Sequence, residues 1–369
     1  MDMKTEKNYQ VRWRLAAALI LPLLLLGLFT LAKGNRAVMD FWVFRVMAPV
    51  EQCLGRFWSV APFSGMELFI ALFLLGNVVW LVRAVVLAVR ERGGRALVRR
   101  LLAMAAAWLW LWSGVCWLWN AAYYASSFTE RSGLKTGPYS VETLAAVTEH
   151  FAQNAARLSA QVPRDGAGHF AVTPGESLER GVSVYENLTR EFPCLYMKSV
   201  RTKPIFFSRL QSVLGFTGMY FPFTGEANVN VDAPACLTPA TVAHEMAHQR
   251  MVASEQEANF VGVAACTACD DVVFQYSGYL LGLIQLCNAL YPADPEGWYD
   301  IAGRYFTPEL SADWSDNNAY WQALESPVED AAGDVYDSFL KGNDQELGMR
   351  SYGACVDLIV AYYGPQAEG

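Results

Sequence analysis

At 369 residues the chain has room for two or three domains and a sizeable core. Hydrophobic residues make up 53% and charged residues only 17%, against roughly 25% charged in an ordinary soluble domain, so disorder is excluded and part of the chain must meet lipid. A net charge of -8 excludes a nucleic-acid binder, which needs a basic face against phosphate.

The charge is unevenly spread. Residues 1–122 hold fourteen Lys or Arg against six Asp or Glu, and residues 123–369 hold fourteen against thirty. This asymmetry predicts a membrane region over 1–122 and an exported domain over 123–369.

Residues 15–32 are uncharged, and eighteen apolar positions at 1.5 Å each approach the hydrocarbon thickness of about 30 Å. A cleaved signal peptide is the lesser reading, because LPLLLLGLFTLAKGN has no clean small-x-small site and more apolar segments follow. Residues 68–89 form a second span interrupted only by Arg83, which lies near enough its end to snorkel. Residues 101–122 form the third, with Trp108, Trp110, Trp112, Trp117 and Trp119. Several of these lie too deep for an interfacial belt and are expected to pack against the other spans.

Lys4, Lys7, Arg12 and Arg14 precede the first span, and Arg90, Arg92, Arg95, Arg99 and Arg100 separate the second from the third. Basic loops are retained inside, so both face the cytoplasm. Three spans then carry everything after Tyr123 to the other side. The loop 33–65 would also lie outside, although its four basic residues pull the other way. The expectation is a multi-pass protein of a bacterial cell membrane, with a cytoplasmic N-terminus and an extracytoplasmic C-terminal domain.

The exported half reads as mainly α. Val141, Leu144, Val147, Phe151 and Leu158 recur at helical spacing, which predicts a helix over 139–160 with Ser140 as N-cap. Further helices are expected over 177–191 and 206–214. Residues 215–232, GFTGMYFPFTGEANVNVD, read as a strand or hairpin, and everything after Thr238 is helical almost to the end. Six of the eight cysteines fall in this half. Cys266-x-x-Cys269 lacks partners for a zinc knuckle, so buried thiols or a local disulfide are expected there. His150 and His169 belong to no motif and read as surface residues.

His244-Glu245-Met246-Ala247-His248 is an HExxH motif in helical context. Four residues are about one helical turn, so both imidazoles share a face and can hold one zinc at about 2.0 to 2.1 Å, with Glu245 beside the ion as base for its bound water. A third ligand is needed. On an unbroken helix Glu255 would lie about 16 Å further along the axis, so the chain must turn back between Gln249 and Ser254. Ser254-x-x-Glu257 matches a capping box, which assigns Glu257 to the cap and leaves Glu255 to ligate. The alternative ligand is Glu257. Asn259, four residues after Glu255, shares its face and can orient a ligating histidine.

These residues carry a resemblance. HExxH followed by Glu-x-x-x-Asn is similar to the gluzincin zinc metallopeptidases, which have Glu-x-x-x-Asp in the second position. The runs FTGMYFPFTGEANVN, AHEMAHQR, EQEANF and FQYSGYL resemble a bacterial membrane family of unassigned function, domain of unknown function family 3810. The resemblance implies a zincin-like exported domain, mostly helical with a small β element, behind three transmembrane helices. It implies zinc as cofactor and hydrolysis of a peptide or of the exposed part of another membrane protein. Asn259 in place of Asp, and Met251 where a helix-ending turn calls for glycine, are departures from the pattern.

Three further contacts are expected of such a site. Residues 227–231 would serve as the edge strand that pairs with substrate. Glu226 would bind a substrate amine or cap a turn, with the turn favoured because Gly225 marks one. Tyr276 or Tyr279 would donate to an oxyanion or sit in the core. A peptidase-like protein that binds without cleaving, acting in envelope assembly, stays open as the alternative. So does a zinc hydrolase of a cell-wall or lipid amide. The oligomeric state is not legible.

Overall fold

The structure, a computed structural model, describes residues 3–91, 94–345 and 351–367; Arg92 of the arginine-rich loop falls outside them. Contacts divide the chain into two units, Met1–Pro49 with Gly65–Ala125, and Val50–Ser64 with Ser126–Gly369.

In the first unit, Trp13–Ala32, Gly65–Arg90 and Leu97–Tyr124 are long and apolar enough to cross a membrane, and they contain the three expected spans. Most of their side chains face outward, as helices in lipid require. The deep tryptophans do reach neighbouring helices. Trp110 Nε1 donates to the Ala18 carbonyl and Trp117 Nε1 to that of Leu25, each at 3.0 Å, and Trp108 Nε1 reaches Asn77 Oδ1 at 3.0 Å. Each indole thereby finds an acceptor that hydrocarbon does not offer.

The connection between the first two spans is largely helical. Arg36–Phe41 begins at Asn35, whose side chain accepts from the Val38 N–H at 3.2 Å; a π-helical stretch Trp42–Met47 and the helix Ala48–Trp58 follow. Its second part, Val50–Ser64, belongs to the second unit. The main division between the units falls between Ala125 and Ser126.

The second unit has a helical core. Ser140 accepts from the Thr143 N–H at 3.2 Å and starts the helix Val141–Ser159, whose Leu144, Val147, Phe151 and Leu158 are buried. That face packs on the long helix Val272–Ala293. Phe151, Phe260, Phe274 and Tyr276 are almost wholly enclosed in one cluster, and each such side chain contributes about 1.5–3 kcal/mol. The helix expected over 177–191 is broken into Pro174–Arg180, a turn at Gly181–Ser183 and Leu188–Glu191, with the weak helix former Gly181 at the break. His150 is not a surface residue: its ring is half-buried against Phe151, Tyr279 and Tyr363, whereas His169 is exposed. Cys266 and Cys269 are buried free thiols, the Cys269 thiol donating to the Cys266 carbonyl at 3.1 Å.

A small sheet lies beside the helices. β1 (Lys203–Pro204), β2 (Gly218–Phe221) and β3 (Glu226–Val229) run in the order β1-β3-β2, with β1 parallel and β2 antiparallel to β3. Gly225, at φ 65°, makes the hairpin turn that an L side chain disfavours. The stretch 227–231 is consequently no edge. Its far side is taken by β1, where the Ile205 N–H donates to the Val229 carbonyl at 2.9 Å, and the outer strand of the hairpin is β2.

Candidate metal centre

The motif helix, Thr238–Gln249, ends one residue after His248, and the next helix, Glu255–Ala268, begins six residues later. The reversal between them is a Schellman turn. The Met251 N–H donates to the His248 carbonyl at 3.0 Å and the Val252 N–H to that of Ala247 at 3.2 Å. Met251 takes the left-handed position at φ 59°, where glycine is usual, at a cost of about 1–2 kcal/mol. The turn turns the Val252 carbonyl toward the motif, and His248 Nδ1 lies 2.7 Å from it. With its Nδ1 proton engaged there, His248 presents the lone pair of Nε2 to a metal. Arg250 closes the helix end: its guanidinium donates to the Met246 carbonyl at 2.9 Å and lies 3.7 Å from the centre of the Tyr185 ring.

The turn delivers Glu255 to the histidines. Its Oε2 lies 3.2 Å from His244 Nε2 and 3.7 Å from His248 Nε2. Four tetrahedral ligands about 2.05 Å from zinc stand about 3.3 Å apart, so this spacing suits such an ion. Among the described residues these three form the one group of three or more His, Cys, Asp or Glu whose ligand atoms could hold a metal. All three are buried, yet Glu255 Oε2, which faces the histidines, and the neighbouring Glu245 Oε2 have no hydrogen-bond partner among the described residues. Buried polar atoms left open in one place are the expected signature of a site completed by another group.

Without a metal, burial opposes charge on both members of the Glu255–His248 pair, but their attraction outweighs it, holding Glu255 well below the usual carboxylate range and raising His248, so a proton sits between them that a metal would have to displace. Burial pushes the Glu245 carboxyl up to about 7, with the two histidines and the Tyr220 backbone N–H pulling it back. Glu245 lies against β2: a Cβ on Gly218 would stand 2.4 Å from Glu245 Oε1. Only glycine lets the strand pass this close.

The other expected residues are placed as follows. Glu257 neither ligates nor caps its own helix, since Ser254 makes no side-chain cap bond. Its carboxylate accepts from the Phe128 and Thr129 N–H groups at 2.8 and 2.9 Å and from the Thr129 hydroxyl at 2.8 Å, capping the short helix Phe128–Ser132 instead. Asn259 is buried but makes no hydrogen bond to either histidine; the Val252 carbonyl does the orienting. Glu226 follows the Gly225 turn as the first residue of β3 and is buried. Tyr276 is a core residue. Its hydroxyl donates to Asp313, which Arg164 grips with both nitrogens at 2.8 and 2.9 Å, so it is not available to an oxyanion.

Two contacts carry no signal in sequence spacing. Tyr336, on the helix Pro327–Gly342, donates to Glu255 Oε1 at 2.5 Å and so fixes which oxygen faces the histidines. Removing such an outer partner typically weakens metal binding 10- to 100-fold. A Tyr336→Phe chain is therefore expected to bind zinc roughly 10–100 times more weakly in competition with a chromogenic chelator, with an unchanged stoichiometry at saturation. The second contact is Glu51, from the inter-span segment, which accepts from the Tyr220 hydroxyl at 2.5 Å beneath β2; burial pushes its carboxyl well above the usual range. A lone acid in the apolar run MAPVEQCLG was its only trace.

Residues 44–360 match a family described as protein of unknown function (DUF3810). The chain belongs to that family. The match takes in both histidines, Glu245, Glu255, Tyr336 and Glu51, and leaves out the first span. No curated protein and no solved structure matches the chain.

Proposed function

We propose that this protein is a membrane-anchored, zinc-dependent endopeptidase acting outside the cytoplasm. The observation that carries the reading is one oxygen of Glu255 set between two imidazole Nε2 atoms, with the Glu245 carboxylate beside them and against an outer strand. Similarity of the motif spacing to gluzincins supports the same reading.

His244, His248 and Glu255 would hold the zinc. When bound, zinc supplies Lewis acidity, lowering the pKa of water to about 7 and polarising the scissile carbonyl. Glu245 accepts the proton of the attacking water at its carboxylate and passes it to the departing amine nitrogen. β2, as the outer strand next to Glu245, is the strand along which an extended peptide would lie. The basic loops support a cytoplasmic N-terminus, hence a site on the far side of the membrane.

A second reading, a peptidase-like protein that binds without cleaving and serves envelope assembly, is favoured by the burial of His244, Glu245, His248 and Glu255, all under a tenth exposed. Elemental analysis of the purified full-length chain separates the two readings. One zinc per chain is expected of the peptidase; zinc-free protein from metal-replete preparations would remove the hydrolysis and favour the binding reading.

A further inference from the structure

Two stretches of the second unit, around Ser59–Ser64 and Lys203–Leu210, lie side by side. Lys203 ties them: its buried ammonium donates to the carbonyls of Ser59, at 3.3 Å, and Ala61. The Ser64 hydroxyl adds a bond of 2.7 Å to Asn228 Oδ1, and Asn228 is the register partner of Lys203 across β1 and β3.

Around this tie the large side chains point outward. Phe57 is 68% exposed, Val60 85% and Phe63 51%; Phe206 is 84% exposed, Phe207 59% and Leu210 57%. Single apolar residues on a surface are ordinary, but six exposed on two adjoining stretches form a patch of the kind that marks an interaction surface.

Charge indicates which partner. Residues 192–225 hold Lys198, Arg201, Lys203 and Arg209 and no Asp or Glu, within a half of the chain that has more than twice as many acids as bases. Arg56 and Arg209 are exposed among the apolar side chains, Arg209 also pairing with Asp232 at 3.3 Å. Aromatic side chains interleaved with basic ones are the composition of a surface that enters the headgroup layer of a bilayer. Covalent continuity points the same way. Phe63 stands two residues before Gly65, where the second apolar helix begins, and two residues reach about 7 Å at most. That is about the depth of one interfacial layer.

We infer that the surface formed by Phe57, Val60, Phe63, Phe206, Phe207 and Leu210 seats in the interfacial layer of the bilayer, with Arg56 and Arg209 toward anionic headgroups. The seated face adjoins β1, and the candidate site adjoins β2 of the same sheet. β1 pairs with β3 and β3 with β2, which lies against Glu245, so two strand spacings, about 10 Å, separate β1 from β2. If the peptidase reading holds, the substrates cut are the membrane-proximal segments of other membrane proteins; the lipid contact itself does not depend on that reading.

The test uses the full-length chain in vesicles of phosphatidylethanolamine and phosphatidylglycerol. The exposed Cys53 is replaced by Ser, and one nitroxide is attached at Val60→Cys or Leu210→Cys, with Val335→Cys, 72% exposed on the helix Pro327–Gly342, as the reference. Power saturation is read with oxygen, which partitions into lipid, and with a water-soluble nickel chelate. Labels at 60 and 210 are expected to favour oxygen over the chelate several-fold, and the label at 335 to show the reverse. Equal access of the chelate to all three positions would overturn the proposal. So would spin–spin broadening at 60 and 210 that disappears on dilution with unlabelled chain, since a second copy would then cover the patch.

Discussion

Glu245→Gln is expected to leave zinc at one per chain and to abolish hydrolysis, a loss on the order of 10²- to 10⁴-fold, the usual contribution of a positioned general base. Glutamine keeps the shape of the side chain and an oxygen for the Tyr220 N–H, so packing against Gly218 persists. It has no basic carboxylate to accept the proton of water. The substitution also removes a group whose ionisation burial already disfavours, so stability should hold or rise slightly. The measurement is a comparison of new protein N-termini in the envelope of cells that carry wild-type or variant protein, alongside metal analysis of both. Identical fragments from the two strains would sink the mechanism. Zinc-loaded wild type that generates no fragments at all would favour the binding reading.

The pair Glu255→Ala and Glu257→Ala should separate two carboxylates that spacing alone leaves interchangeable. Glu255→Ala is expected to lose the zinc, because it removes the oxygen lying 3.2 and 3.7 Å from the two imidazoles. Glu257→Ala should keep the metal and lose stability instead. Three hydrogen bonds to Phe128 and Thr129 vanish, two of them from backbone N–H groups at a helix start, a cost of about 1–3 kcal/mol. In a unit of this size that lowers Tm by several degrees in a thermal melt. Zinc retained by Glu255→Ala, or lost by a folded Glu257→Ala chain, would reverse the assignment.

What could be read in advance was local. The eighteen-residue apolar runs, the one-turn spacing of His244 and His248, and the turn needed to bring Glu255 back all follow from helix geometry, and the structure has each of them. Met251 was legible as an anomaly, and it occupies the left-handed position where glycine was expected. What stayed hidden were partnerships between distant segments. Tyr336 lies 81 positions from Glu255, and no period in the chain links them. Ser254 and Glu257 have the spacing of a capping box, yet a helix start 128 residues earlier competes for the same carboxylate and wins with three bonds. Tyr276 follows the motif at helical spacing but is held by Asp313 and Arg164, and β3 looks like an edge until two residues at 203–204 close its other side. Side-chain pattern reports which face is apolar, not which remote group will meet it.

The placement of Val50–Ser64 in the second unit has a consequence for the order of events during synthesis. This segment packs backbone to backbone on the hairpin: a Cβ on Gly55 would stand 2.6 Å from the Gly225 carbonyl oxygen, and Glu51 is sealed against Tyr220. Its docking surface is made about 160 residues later, after two more apolar helices have left the ribosome, roughly 10–30 s at bacterial elongation rates. Through that interval a buried-to-be carboxyl and an apolar helix face wait undocked. A fragment that starts after the third span would therefore lack the segment that packs on the β2–β3 hairpin, the same hairpin whose Gly218 lies against Glu245.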